Sequence, residues 1–185
     1  SLGIEFVVIK SDIDETQRPG EAPYAYVRRL SVEKADAVAA RLEAPTFVLA
    51  ADTVVILAAD TIGVTEGGEI LGKPEDAEEA REMLRRLRGR DHVVCTALTL
   101  LRLDTQERTS VSELTRTTVT MRDYSEEEID AYVATGDPFD KAGGYAIQHE
   151  EFHPVERIDG SYSNVVGLPL DSLTEMLTRI GYNQT

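Results

Sequence analysis

Two acidic side chains and two lysines have the residue types that act on phosphorylated ligands. Asp52 stands at the end of an apolar run, where a carboxylate must be paired, hydrogen-bonded or metal-bound to offset its desolvation. Glu15 lies in a polar turn, Lys34 in a helical pattern, and Lys73 just before a proline that suits the first position of a helix. A cation beside a helix N-terminus is a good phosphate site. A turn-capping aspartate and a solvated acidic turn are the alternatives for the two acids.

A short echo gives the acidic position a second candidate. The stretch AADTV from Ala50 to Val54 recurs as AADTI from Ala58 to Ile62, which places Asp60 in the same local setting as Asp52. The repeated unit is far shorter than the twenty or more residues of a true repeat protein, so no solenoid is indicated.

The segment DKAGGYAIQ, which runs from Asp140 to Gln148, suits the wall of a ligand pocket. It combines Lys141, one of four lysines in the chain, with two adjacent glycines and a single amide side chain. The amide of Gln148 offers one donor and one acceptor, which is the pattern required by the imide edge of uracil or thymine. A plain surface glutamine is the alternative.

A match to the zinc-protease motif HExxH occurs at His149 to His153. That chemistry requires a helix, so that both histidines share one face. Pro154 follows at once, and the flanking residues favour β-structure, so a polar hairpin turn is the simpler interpretation. A zinc hydrolase that uses these two histidines remains an alternative function.

The elements that position these residues follow from hydrophobic periodicity and from turn and cap signals. Strands are predicted at Ile4–Ile9, Thr46–Leu57, Ile70–Leu71, His92–Leu103, Thr109–Met121 and Phe152–Ile158, and helices at Glu21–Leu42, from Pro74 to a stop at Gly89, from a capping box at Ser125 and Glu128 to Gly136, and at Pro169–Ile180. Their order predicts an α/β fold with a mixed sheet.

Composition limits the classes of function. The chain has 185 residues, which fits a single domain, and its net charge of −15 argues against a nucleic-acid partner. A small anionic ligand stays compatible with that charge, because it needs only a local positive cluster or a divalent cation. The sequence contains no long apolar run and a single cysteine, Cys95, so we expect no membrane partner and a cytoplasmic location.

The motifs together resemble the Maf family of nucleoside triphosphate pyrophosphatases. The matching stretches, in the order typical of that family, are SDIDET, the Lys34-Ala35 pair, ADTVV, ILGKP, LRGR, DKAGGYAIQ and GSYSNVVGLPL. The resemblance extends from Ile4 to Gly181, and DKAGGYAIQ is similar to the branch that acts on dTTP and UTP. It implies an inosine-triphosphate-pyrophosphatase-like fold, with an elongated mixed β-sheet, flanking helices and a cleft between two lobes, within one domain that covers residues 1–185.

The resemblance also implies roles for individual residues. Asp52 would be the proton acceptor, with Glu15, Lys34 and Lys73 around the phosphates. Glu15 and Asp52 would hold a divalent cation, Mg²⁺ or Mn²⁺, and Thr53 and Gln148 would bear on the choice of base, with Lys141 beside the substrate. A homodimer is the expected assembly.

Two departures from the family pattern affect these expectations. The opening strand and the Ser/Arg-rich loop of the family do not occur in this sequence. The segment between ADT and GKP is longer than usual, and Asp60 lies nearer to Lys73 than Asp52 does. Asp52 is preferred because its separation from Lys34 fits the family better, so that the extra residues lengthen a hairpin. A non-catalytic nucleotide-binding regulator of septum formation is the remaining alternative.

Overall fold

The computed structural model describes residues 7–42, 53–104 and 108–182, which form a five-stranded sheet with helices on both faces. The strands are β1 Thr53–Thr65, β2 Ile70–Leu71, β3 Asp91–Asp104, β4 Arg108–Met121 and β5 Val155–Asp159. The helices are α1 Pro23–Leu42, α2 Ala77–Leu87, α3 Glu126–Ala134, α4 Tyr162–Val166 and α5 Leu170–Arg179, with 3-10 turns at Asp137–Asp140 and Ala142–Gly144.

The sheet has the strand order β2-β1-β3-β4-β5. The long strands β1 and β3 pair over thirteen positions, from Thr53 opposite Asp104 to Thr65 opposite His92. All four strand pairs in the described residues are antiparallel, whereas a mixed sheet was predicted. The α/β class and the helix-flanked sheet are confirmed.

Helix α1 covers one face of the sheet. Val27 packs against Ile62, Val64 and Cys95, and the next turns of the helix bury Val38 on the same face. Side chains alternate between faces along a strand, so Ile56, like Ile62 and Val64, points towards α1. Cys95 is fully buried there, as expected for a small apolar side chain.

The opposite face of the sheet carries α5 and a cluster around α2 and α3. Leu98 packs against Leu173 and Met176 of α5. Nearer the other end of β3, Val94 joins a cluster that includes Leu84 of α2 and Ile129 of α3. Val55 and Ala59 of β1 join the α5 cluster and therefore face this side.

Most predicted elements are confirmed to within a few residues, including the capping box that starts α3, where the Ser125 side chain and the Glu128 backbone and side chain bond reciprocally. The segment after Asp52 differs from its prediction. Strand β1 continues through the repeated motif to Thr65, so the extra residues lengthen a strand and not the hairpin turn. Residues 4–6 and 46–52 of two predicted strands lie outside the described residues, and residues 7–9 form no strand.

No helix within the described ranges is both long enough and apolar enough to cross a membrane.

Candidate active site

A cluster of two carboxylates and one ammonium group lies between α1 and β1. Lys34 Nζ donates to Asp60 Oδ1 at 2.6 Å and lies 3.2 Å from Glu15 Oε1. The Lys34 and Asp60 side chains keep 17% and 14% of their exposure, while that of Glu15 keeps 55%. The structure thus brings together two predicted site residues, Glu15 and Lys34, and joins to them the second candidate for the acidic position.

The electrostatics of the cluster follow from its partial burial. Burial opposes the charge on Lys34, but hydrogen bonds and charges from Asp60 and Glu15 raise the pKa of the lysine above its ordinary value. Burial also raises the pKa of the Asp60 carboxyl, and the Lys34 ammonium acts against that rise. A carboxylate whose pKa is raised is a better proton acceptor near neutral pH than an exposed aspartate.

The loop that carries Glu15 is attached to α1 by side chains of the helix. Tyr26 donates its hydroxyl to the backbone carbonyl of Glu15 at 2.8 Å, and Arg29 donates to the carbonyl of Thr16 at 3.2 Å. Arg29 itself is held by Glu21, which accepts two of its hydrogen bonds. These contacts fix the loop so that the Glu15 carboxylate faces Lys34.

A second group of predicted residues lines a cavity of about 350 Å³ on the α5 side of the sheet. Lys73, Lys141 and Gln148 all contribute to its wall. Other wall residues are Thr61 and Gly63 of β1, Leu71, His92 and Val94, residues 145–147, and residues 165–167 at the end of α4. Lys73 and Gln148 are exposed at the rim, whereas His92 and Tyr145 are buried. The wall is therefore apolar with a few convergent polar groups, which is typical of a ligand pocket.

A backbone contact joins the two lysine-bearing segments of the cavity. The Gly143 N–H donates to the carbonyl of Gly72 at 2.8 Å, so the turn after Lys141 is fastened beside the residue before Lys73. Gly143 has a φ of 77°, a conformation that residues with a side chain rarely adopt. Lys141 is held in turn by the Asp137 carbonyl at 2.9 Å and by the neighbouring Asp140 carboxylate.

The two groups of residues meet at β1. Asp60 and Thr61 are consecutive, and their side chains point to opposite faces of the strand, towards α1 and towards the cavity. The short strand β2 pairs with β1 at Gly63 and Val64, so no described strand pairs with Asp60 or Thr61 on that side. This edge links the carboxylate cluster to the cavity.

Asp52 lies outside the described residues, so its predicted role stays a prediction. The backbone of the next residue, Thr53, is at the far end of β1 opposite Asp104. Eight steps along the strand at about 3.3 Å each separate it from Thr61, or roughly 26 Å. Thr53 is therefore remote from the cavity, and Thr61 occupies the wall position that Thr53 was expected to have.

The helix N-terminus near Lys73 differs from its prediction. Helix α2 begins at Ala77 and not at Pro74, and Asp76 caps it by accepting from the N–H groups of Glu78 and Glu79 at 2.9 Å each. A capping carboxylate both satisfies these donors and repels an anion. The lysine thus lines the cavity without a phosphate-binding helix end beside it.

The HExxH stretch forms a turn and no helix. His149 Nδ1 accepts from the N–H groups of Glu151 and Phe152, and His153 has a φ of 42°. Within the described ranges, no three His, Cys, Asp or Glu side chains form a group that could hold a metal ion. The two histidines therefore lack the shared helical face that the zinc alternative requires.

The described geometry adds Asp60 and Thr61 to the residues that were predicted for the site. Their signal in the sequence was the repeated AADT motif, together with the shorter separation of Asp60 from Lys73, and the preference for Asp52 gave more weight to the separation from Lys34. The choice depends on which of the two aspartates lies beside Lys34 of α1. That is set by the position of β1 in the sheet, which its pairing register with β3 defines.

Comparison with known proteins identifies the family of this chain. The family model described as "Maf-like protein" matches residues 1–180. The chain is 48% identical over 181 residues to a dTTP/UTP pyrophosphatase of Geobacter sulfurreducens, which covers 98% of this chain and 88% of the relative. It is 48% identical to the protein of that name from Myxococcus xanthus, covering 97% and 84%, and 40% identical to the one from Dictyoglomus thermophilum, covering 98% and 89%. The chain therefore belongs to the Maf family, as its motifs predicted.

Proposed function

We propose that this protein hydrolyses dTTP and UTP to the nucleoside monophosphate and pyrophosphate. The observation that carries the proposal is that the consecutive residues Asp60 and Thr61 of β1 join two groups: Asp60 belongs to the cluster with Glu15 and Lys34, and Thr61 lines the cavity that Lys73, Lys141 and Gln148 also line. The name dTTP/UTP pyrophosphatase, shared by relatives that are 40–48% identical over nearly the whole chain, supports the same reaction.

In the proposed reaction, Asp60 takes a proton from a water molecule as its oxygen attacks the α-phosphorus. The new bond joins that oxygen to phosphorus, and the bond from the α-phosphorus to the bridging oxygen breaks, so that pyrophosphate leaves. Lys34 orients the Asp60 carboxylate through the 2.6 Å hydrogen bond. Lys73 and Lys141 face the negative charge of the triphosphate from the cavity wall. In this proposal Asp60 takes the role that the family resemblance implied for Asp52.

A divalent cation fits the donor set of the cluster. Glu15 and Asp60 offer carboxylate oxygens, the hard donors that Mg²⁺ and Mn²⁺ prefer. Mg²⁺ is usually bound by one or two carboxylates together with substrate phosphates and water, so two protein ligands suffice. When bound, such a cation supplies charge neutralisation on the phosphates and a more acidic water molecule.

The cavity suits the base of the nucleotide. Thr61 and Gln148 present a hydroxyl and an amide among apolar side chains that include Ile147 and Val165. The Gln148 amide can pair with the imide edge of uracil or thymine, which offers one donor between two acceptors. The triphosphate would then run past the edge of β1 at Asp60 towards the carboxylate cluster.

The test is pyrophosphate release by the purified chain from a panel of canonical and modified triphosphates, with Mg²⁺, with Mn²⁺ and with EDTA. We expect turnover of dTTP and UTP with either cation and none with EDTA. Tight nucleotide binding without pyrophosphate release would favour the alternative of a non-catalytic regulator. Equal turnover of all bases would refute the assignment to dTTP and UTP.

The same experiment separates the metal assignments. Activity that Mg²⁺ restores after EDTA treatment, with no zinc bound in stoichiometric amount, is expected for a site built on Glu15 and Asp60. A cytoplasmic location and a homodimer are part of the proposal, and analytical ultracentrifugation of the purified protein measures the assembly.

A further inference from the structure

The cavity contains a buried polar pair that none of the roles above uses. His92 Nε2 and the Tyr145 hydroxyl lie 2.7 Å apart, and the two rings meet edge to face with centroids 5.4 Å apart. His92 keeps 1% of its exposure and Tyr145 keeps 7%, and both line the cavity. The second ring nitrogen of His92, Nδ1, is buried and has no hydrogen-bond partner among the described residues.

We propose that Tyr145, oriented by His92, is a specificity-determining residue that donates a hydrogen bond to the carbonyl oxygen at position 4 of the pyrimidine. This inference rests on the proposed function, because it deepens the choice of base in the same site. Cytosine carries an amino group at position 4, so a hydroxyl that donates there accepts uracil and thymine and rejects cytosine.

The protonation of the pair determines the direction of this hydrogen bond. Burial lowers the pKa of His92 to about 4, against the opposing charge of Asp91, so the imidazole is neutral at pH 7 and carries one proton. Orphaned buried N–H groups are rarer than under-satisfied acceptors. The proton therefore belongs on Nε2, which donates to the Tyr145 oxygen and leaves Nδ1 as the unpaired acceptor.

This arrangement leaves the hydroxyl proton of Tyr145 free for a ligand. Burial raises the pKa of Tyr145, so the phenol keeps its proton. Among the hydrogen bonds of the described residues, the Tyr145 hydroxyl contacts His92 and no other group. A buried donor of this kind gains most from a ligand acceptor, because leaving it unpaired carries a desolvation penalty.

The depth of the pair selects the ring atom. Position 4 of a pyrimidine lies across the ring from N1, to which the ribose is attached. Lys73, which faces the triphosphate, is at the exposed rim, where the charged end of the nucleotide must remain, while Tyr145 is at the buried end. With the ribose towards the rim, the 4-carbonyl is the atom that reaches deepest and arrives at the hydroxyl.

Tyr145→Phe tests the inference, because it removes the oxygen and keeps the ring. We expect kcat/KM for UTP to fall about tenfold or more with kcat/KM for CTP unchanged, so that the UTP-to-CTP ratio falls by the same factor. Tyr124→Phe is the matched control, since Tyr124 is also buried but donates to the Leu84 carbonyl at 2.7 Å and does not line the cavity. It should leave the ratio unchanged.

A change in the substrate separates recognition from packing. The triphosphate of pyrimidin-2-one riboside lacks the 4-oxygen, so the wild-type protein and Tyr145→Phe should turn it over equally well. If Tyr145→Phe lowers kcat/KM for UTP and for this analogue by the same factor, the hydroxyl is only structural and the inference is overturned. If the wild-type protein releases pyrophosphate from none of the triphosphates tested, the proposed function is refuted instead. Equilibrium binding of UMP and CMP to the same variants then decides the inference. If Tyr145→Phe binds UMP in preference to CMP as strongly as the wild-type protein does, the inference is overturned.

Discussion

At the scale of single residues, the aspartates in the two copies of the AADT motif have different roles in the proposed reaction. The proposal assigns proton transfer to Asp60, whose carboxylate is bonded to Lys34. Asp60→Asn keeps the shape of the side chain and removes the base, so we expect kcat for UTP to fall by about 10²- to 10⁴-fold. Steady-state pyrophosphate release measures this change, and thermal unfolding checks that the variant is folded.

The chain provides its own matched control in Asp52→Asn. The two substitutions are chemically identical and lie in nearly identical sequence, so any difference between them reports position alone. We expect kcat within about twofold of wild type for Asp52→Asn, since the neighbouring Thr53 is at the far end of β1 from Thr61. Loss of turnover in Asp52→Asn with retained turnover in Asp60→Asn would reverse the assignment.

Residue types were readable from the sequence, but positions were not always so. Lys73, Lys141 and Gln148 were chosen for their chemistry and their glycine-rich surroundings, and all three line one cavity. Asp52 was preferred over Asp60 because of its separation from Lys34 along the chain. Separation in sequence is a poor guide to distance in space when one residue lies on a helix and the other on a strand of a sheet. The distance that matters is set by pairing register, which no local pattern around either aspartate encodes.

At the scale of secondary-structure elements, two charged residues before α2 have different roles: Asp76 caps the helix, and Lys73 is proposed to contact the substrate. Asp76 caps the helix through the N–H groups of Glu78 and Glu79. Removing that cap by Asp76→Ala should lower the free energy of unfolding by about 1 kcal/mol. Because this helix end faces no phosphate in the proposed site, KM for UTP should stay at its wild-type value. Urea unfolding and steady-state kinetics on the same variant measure both quantities.

Lys73→Met is the complementary change, four residues before α2 begins. Lys73 is exposed at the cavity rim, so its loss should leave stability nearly unchanged. If the lysine meets the triphosphate, KM for UTP should rise by about tenfold or more. An increase in KM for Asp76→Ala and none for Lys73→Met would restore the helix end as the phosphate site.

Element boundaries followed sequence signals where the signal was chemical. The capping box of α3 and the glycine after α2 fixed their helix ends to within two residues. Pro74 was less reliable, because proline is suited to the first turn of a helix but does not require one. The aspartate two residues later is the stronger signal, since its side chain satisfies the first donors of the helix.

At the scale of the whole molecule, the α/β class could be predicted from the order of periodic segments in the sequence, whereas the order of the strands in the sheet could not. Strands β3 and β4 pair along almost their full length, as expected for long neighbouring strands with alternating polarity. The cavity forms where β1, the segment after Leu71, the turns after α3 and the end of α4 converge. Such convergence depends on packing between distant segments, which a single sequence does not display.

Stability towards acid tests whether that packing holds His92 neutral. Burial lowers its pKa from 6.5 to about 4, so the unfolded chain takes up a proton at a pH where the folded chain does not. The contribution of neutral His92 to the free energy of unfolding is therefore present in full above pH 6.5 and is lost as the pH falls towards 4. Between pH 7 and pH 5 the loss should be about 2 kcal/mol.

Urea unfolding of wild type and of His92→Gln at pH 7, 6 and 5 measures that loss. The free energy of unfolding of wild type should fall more steeply than that of His92→Gln, by about 2 kcal/mol over this range. His153→Gln is the control, because His153 is exposed and its removal should leave the wild-type slope. Carboxylates whose pKa is lowered, such as Glu21 at about 2, are common to all three proteins and cancel in the comparison. Parallel slopes for wild type and His92→Gln would mean that water reaches the ring, and a buried pair oriented for base recognition would then be excluded.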